Sequence, residues 1–358
     1  MDFDRTLSEL AFDGVPSYGW LTIMFYTCIL QGFSKPRQRY KDHADEFTNR
    51  LRCWMLICAA GWLPFVAWTQ SANADAAAPA SSAETASRVV EDGGTGPYKA
   101  LMASDKSLAT HTVFRPMDLS TLGDTIKLPI VVWGNGACAN SPWEHVNFLS
   151  EVASHGFLVI AIGSMPSEGQ RGAPGGPTKS PMLLDAIQWA MARNNDKFSQ
   201  YYQKLDTNKI AVAGMSCGGL QALEVALDPR ISTAMICNSG LFSDPASSRF
   251  ELPRVGKEQL AKLHTPTIYI LGGEKDIAFK NGMDDFKRIN HVPVFAANLN
   301  VGHGGTYSQP HGGDFATVAT AWLQWQLKND QEAARMFTGD PCGLAKAEGW
   351  KVEKKNIP

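Results

Sequence analysis

Two observations predict an α/β fold with a mostly parallel sheet and helices on both faces. From Leu128 onward, short uninterrupted apolar runs alternate with segments of helical periodicity, the pattern of strands buried on both sides. One of those runs passes through Gly214-Met215-Ser216-Cys217-Gly218 directly into a helical pattern, and a chain reverses that sharply only where side chains are small. No internal repeat is visible, so a single α/β domain is expected over residues 94–336.

The elements follow in order. "LPIVVWGNG" (128–136) reads as a buried strand ending in a glycine-rich turn. Ser141-Pro142-Trp143-Glu144 then carries a helix-start signature, with Ser as cap, Pro in the first turn and Glu able to reach back. Val146, Leu149 and Val152 continue that helix. "GFLVIAIG" (156–163) is the next strand, followed by a loop over 164–180 and an amphipathic helix from Pro181 to Arg193. "KIAVAG" (209–214) leads through the glycine turn into a helix marked by Leu220, Leu223 and Leu227. The strands "TAMICNSG" (233–240), "TPTIYILGG" (265–273) and "VPVFAANL" (292–299) come next, and a long helix from Phe315 to Met336 closes the domain. Between Leu241 and Thr265 there is room for one short helix, so an open cleft without a large lid is expected.

The N-terminal region reads differently. A basic flank at Arg50 and Arg52 precedes 16 mostly apolar residues, Cys53–Trp68, and then Ala72-Asn73-Ala74. These are the parts of a signal peptide over 53–74, and the apolar core falls short of the ~20 residues that span a bilayer. No stable membrane anchor is therefore expected, and a secreted or periplasmic location is. Residues 1–52 read as a non-native or cytosolic N-terminal extension. The Ala/Ser-rich stretch that follows reads as a flexible lead-in over 75–93, and residues 337–358 form a C-terminal tail without an assigned role.

Composition narrows the function classes. With 44% hydrophobic and 19% charged residues and a net charge of −2, the chain is neither disordered nor equipped with a nucleic-acid surface. Four cysteines lie in the expected domain and tail, Cys138, Cys217, Cys237 and Cys342. In an exported chain they allow two disulfides in any of three connectivities, with buried free thiols as the alternative. Their spacing matches no zinc pattern. There is no HExxH motif and no dinucleotide fingerprint, and "GAPGGPTKS" lacks the Gly that a phosphate loop needs before its Lys179. Neither metal nor cofactor is indicated.

The glycine turn points to chemistry. A G-x-S-x-G turn holds a serine hydroxyl exposed above a sheet, with the N–H of the next residue facing a reacting carbonyl. A hydroxyl needs a base to become a nucleophile, and the oxyanion that forms needs donors. Partners are expected after later strands, in the order acid then His. Asp276 follows Ser216 by 60 residues and His303 follows Asp276 by 27, each just beyond an apolar run. Ser216, Asp276 and His303 are therefore the candidate nucleophile, orienting acid and base. Glu274 and Asp284 are alternative acids, and His311 is an alternative base. His111, His145, His155, His264 and His291 read as surface or packing residues. Ala137 and Cys217 are the candidate oxyanion donors through their backbone N–H groups, with Gly136 and Cys138 as neighbouring alternatives to Ala137. Cys138 and Cys217 would then flank one small hole, which makes their pairing one of the three open connectivities.

Taken in order, "ASHGFLVIAI", "GMSCGG", "GGEKDIAF" and "GHGGTY" resemble the α/β-hydrolase superfamily, and within it secreted bacterial esterases of the dienelactone-hydrolase, chlorophyllase and polyester-hydrolase kind. The resemblance spans roughly residues 95–330. It implies a serine esterase working through an acyl-enzyme on a small or polymeric ester, with Ser216, Asp276 and His303 in the roles above. The loop "GNGAC" departs from the His-Gly or Gly-aromatic sequence of many relatives. The alternatives are an amidase, a thioesterase, or a non-catalytic exported binding domain of the same fold.

Overall fold

The computed structural model describes residues 84–167, 176–244 and 252–358. The expected extension, the signal segment and residues 75–83 of the lead-in lie outside the described residues, as do 168–175 of the cleft loop and 245–251.

In chain order the elements are β1 (Glu84–Arg88), β2 (Ala100–Asp105), β3 (His111–Pro116), β4 (Leu128–Gly134), α1 (Val146–Ser154), β5 (Leu158–Ile162), α2 (Pro181–Asn195), β6 (Leu205–Met215), α3 (Cys217–Val225), β7 (Thr233–Cys237), β8 (Thr267–Leu271), α4 (Phe279–Arg288), β9 (Val294–Leu299), α5 (Gly313–Lys328), α6 (Gln331–Ala334) and β10 (Trp350–Lys355). They build one sheet in the order β1-β2-β3-β5-β4-β6-β7-β8-β9-β10. The run β5-β4-β6-β7-β8-β9 is parallel. The remaining strands add antiparallel at the two margins.

Each central strand is buried on both faces, and its successive residues serve two separate cores. In β4, Ile130 and Val132 face one core with α2 and α3, while Val131 and Trp133 face the other with α1 and α5. This explains why the central strands carry no polar alternation. Of the marginal strands, edge strand β10 does over its first four residues. In β10, Lys351 and Glu353 are exposed, charges that help an edge strand resist further pairing, while Trp350 and Val352 rest on the α5 side of the core.

Two boundaries expected from the sequence are corrected. The lead-in contributes β1, whose Glu84 pairs with the buried Arg115 of β3 at 2.7 Å, so ordered structure begins before residue 94. The tail contributes β10, hydrogen-bonded along β9, and buries Phe337, Cys342 and Leu344. The long helix over 315–336 is also interrupted. Asn329 takes a left-handed φ of 56° and ends α5, and the Asp330 side chain then caps α6 by accepting from Glu332 and Ala333 N–H. Between residues 241 and 265 the described part holds one short 3-10 helix, Lys257–Lys262. No helix among the described residues is long and apolar enough to cross a membrane.

Candidate active site

Strand β6 ends at Met215 and α3 begins at Cys217, leaving Ser216 alone at the corner. Its backbone sits at φ 53° and ψ −117°, a region that costs a non-glycine residue about 1–3 kcal/mol. The surroundings hold it there. Ser216 N–H donates to Cys237 O at 3.0 Å, and Ser239 Oγ donates to Ser216 O at 2.7 Å. The flanking glycines are obligatory for contact: a Cβ on Gly214 would lie 2.3 Å from the carbonyl oxygen of Gly218, and one on Gly218 would lie 2.0 Å from that of Gly134.

The candidate acid and base arrive from two neighbouring strands. Asp276 stands after β8 and His303 after β9. Their loops are joined where Gly302 N–H donates to Gly272 O at 2.8 Å, an approach that a Cβ on Gly272 would block at 1.9 Å from Gly302 O. His303 Nε2 lies 2.9 Å from Ser216 Oγ, and His303 Nδ1 lies 2.6 Å from Asp276 Oδ1. A carboxylate only accepts, so Nδ1 carries the proton and Nε2 is left to accept from the serine hydroxyl.

Asp276 is fully withdrawn from solvent, yet its carboxyl is held below the ordinary carboxylate range. Burial alone would raise it. The hydrogen bond from His303 and those from Ala278 N–H (2.9 Å), Gly272 N–H (3.0 Å) and Asn238 Nδ2 (2.8 Å) outweigh burial. Asn238 is itself gripped, because Tyr307 Oη donates to its Oδ1 at 2.5 Å. The Tyr307 ring packs against Trp133, His145, Phe148 and Phe315. Burial holds His145 neutral, near pKa 3, in keeping with a packing role.

The sequence-derived alternatives lie elsewhere. His311 faces Glu91, 3.3 Å away. Asp284 pairs with Lys257 and Arg288, and Glu274 is exposed in the turn before Asp276. Sequence reasoning passed over Asn238 and Tyr307. The only hint was an Asn-Ser-Gly turn directly after a strand, with Asn238 at a left-handed φ of 43°.

Across the cleft from His303, the loop after β4 forms a short 3-10 turn, Gly136–Cys138, with Ala137 and Cys138 at φ 54° and 49°. Cys138 is disulfide-bonded to Cys217, whereas Cys237 and Cys342 are free and buried. Asn135, buried, donates to the carbonyls of Ala139 and Ile162 at 2.9 and 2.6 Å. Cys217 is the first residue of α3, so its N–H has no intrahelical acceptor. Gly136, Ala137, Cys138 and Cys217 border a cleft of about 870 Å³, ample for a small-molecule group or a polymer segment. Ser216 and His303 line it, along with apolar Met215, Leu220, Phe242, Leu252 and Ile277. Ile277, next to Asp276, is 81% exposed at the rim. Among the described residues, no group of three or more His, Cys, Asp or Glu side chains is arranged to hold a metal ion.

No curated protein matches the chain. A family model described as PET hydrolase-like matches residues 109–341, which covers the parallel sheet, the candidate triad and the first residues of the expected tail. The chain thus belongs to the PET hydrolase-like family, polyester hydrolases of the α/β-hydrolase superfamily.

Proposed function

We propose that the protein is an exported serine hydrolase that cleaves carboxylic esters, including the ester links of polyesters, through an acyl-enzyme. The observation that carries this reading is the unbroken line Ser216 Oγ–His303–Asp276, with contacts of 2.9 and 2.6 Å. In it, His303 Nε2 removes the hydroxyl proton as Oγ attacks the ester carbonyl, and Asp276 keeps the imidazole in the needed tautomer and steadies its positive charge. The tetrahedral oxyanion receives the N–H groups of Ala137 and Cys217. The same proton then passes to the departing alkoxide, leaving the acyl group on Ser216. Water, deprotonated by His303, repeats the sequence and releases the acid.

The cleft supports an uncharged, partly apolar substrate. Its walls offer apolar side chains beside the serine, among them Met215, Leu220, Phe242, Leu252 and Ile277. Export rests on residues 53–74 acting as a signal peptide. Hydrolysis of p-nitrophenyl acetate and of a polyester film by the wild type and by Ser216→Ala tests the reading. Activity on both substrates is expected from the wild type and none above background from the variant; equal rates would overturn it.

A further inference from the structure

We propose that the Cys138–Cys217 disulfide is a positioning device for the oxyanion hole, setting the spacing of the two backbone donors across the cleft. The inference rests on the serine-hydrolase reading above and adds a cause for the hole's geometry.

The two candidate donors come from elements far apart in the chain, the turn after β4 and the first residue of α3. A disulfide joins them at the nearest available points: Cys217 carries one donor N–H itself, and Cys138 is the neighbour of Ala137, which carries the other. Their Cα atoms are 5.1 Å apart. The loop side needs such a fastening. Ala137 and Cys138 are consecutive non-glycine residues in the left-handed region, a conformation that persists only where the surroundings impose it.

A second tie points in the same direction. The carbonyl of Cys138 accepts both the N–H and the Oγ1–H of Thr178, at 2.9 and 3.0 Å. Thr178 is held in turn by Gln221 Nε2, which donates to its carbonyl at 3.0 Å and lies 3.1 Å from its Oγ1. Gln221 is fully buried on α3. The loop is thus bound to α3 twice, once covalently through Cys217 and once through Thr178 and Gln221. Both ties converge on Cys138, and neither bonds the side chain of Ser216, His303 or Asp276. Loss of either one should therefore blunt transition-state stabilisation and leave the nucleophile and the binding walls in place. In kinetic terms kcat falls and KM does not.

The test compares wild type, Ser216→Ala, the double variant Cys138→Ala/Cys217→Ala and Thr178→Val on p-nitrophenyl butyrate, well below each protein's Tm. Deleting an oxyanion donor outright costs about 10²–10³ in kcat. A donor that is loosened but kept should cost the double variant about 10- to 100-fold in kcat, with KM within about twofold. Thr178→Val, which keeps the disulfide, should lose kcat in the same way by a few-fold and serves if the double variant does not fold. A folded double variant with wild-type kcat and only a lower Tm would make the disulfide a fold staple and overturn the proposal, as would Thr178→Val at wild-type kcat. If Ser216→Ala is as active as the wild type, the serine reading itself fails and the proposal falls with it.

Discussion

Two aspartates within one loop-and-helix unit, Asp276 and Asp285, are both fully buried, yet they respond to burial in opposite ways. Asp276 stays below the ordinary carboxylate range because four donors converge on its two oxygens. Asp285 is pushed up to about 6. Burial dominates there, and Lys257 Nζ at 2.5 Å, Leu241 N–H at 2.8 Å and Tyr269 Oη at 3.3 Å offset it only in part. Burial does not decide the charge of a carboxylate; the number and aim of its donors do. One site is built to keep an anion beside an imidazole, and the other to fasten Leu241 and Lys257 to α4.

The comparison makes graded predictions. The largest effect is expected from Asp276→Asn, which keeps the shape but lets the wrong imidazole tautomer form. Steady-state kinetics should show kcat lower by about 10⁴-fold with the fold intact. If the activity loss came instead from Asp285→Asn, the roles would be reversed. Asp285→Asn should cost about 1–3 kcal/mol of unfolding free energy, read by denaturant titration, and leave kcat within twofold or so. It should also remove a pH dependence. Asp285 binds its proton more tightly in the folded chain than in the unfolded one, where a carboxylate sits near pKa ~4. Its contribution to stability is therefore full below about pH 4 and lost as the pH rises through about 6. The variant's stability should be flatter across that window.

Asn238→Ala is the next step down. Losing one of four donors should lower kcat about tenfold. It should also move the acid limb of the kcat/KM profile to higher pH, because a less satisfied carboxylate holds the dyad's proton more tightly. An unmoved limb would mean that Asn238 only packs. The smallest effect belongs to Asp284→Asn. Its side chain is 38% exposed beside Lys257 and Arg288, so stability should change by no more than about 0.5 kcal/mol and activity not at all. A large activity loss there would revive Asp284 as the acid.

The same contrast explains what the sequence discloses. The central strands are legible because β4 to β9 are buried on both faces and read as continuous apolar runs. The elbow is legible because its glycines are required by contacts under 3 Å, and the order of Ser216, Asp276 and His303 follows from the strands that precede them. The margins are not legible in the same way. "ETASR" in β1 and "WKVEKK" in β10 are polar edge strands whose pairing is decided by their neighbours in the sheet. Helix α4, "FKNGMDDFKR", hides Asp285 among charged residues that face solvent. Asn238 and Thr178 act through donors aimed at groups far away in the chain, information that no local pattern carries. The Cys138–Cys217 bond belongs to one of three open two-disulfide connectivities, with free thiols as the alternative, and only the meeting of the β4 turn with α3 selects it.

The central claim is that Ser216 carries the acyl group, and the most direct measurement is to catch it there. Rapid acid quench during p-nitrophenyl acetate turnover, followed by peptide mapping, should find one acetyl group per chain on the peptide containing Ser216, absent from Ser216→Ala. An acetyl group on another residue during productive turnover, or full turnover with Ser216 never modified, would contradict the account.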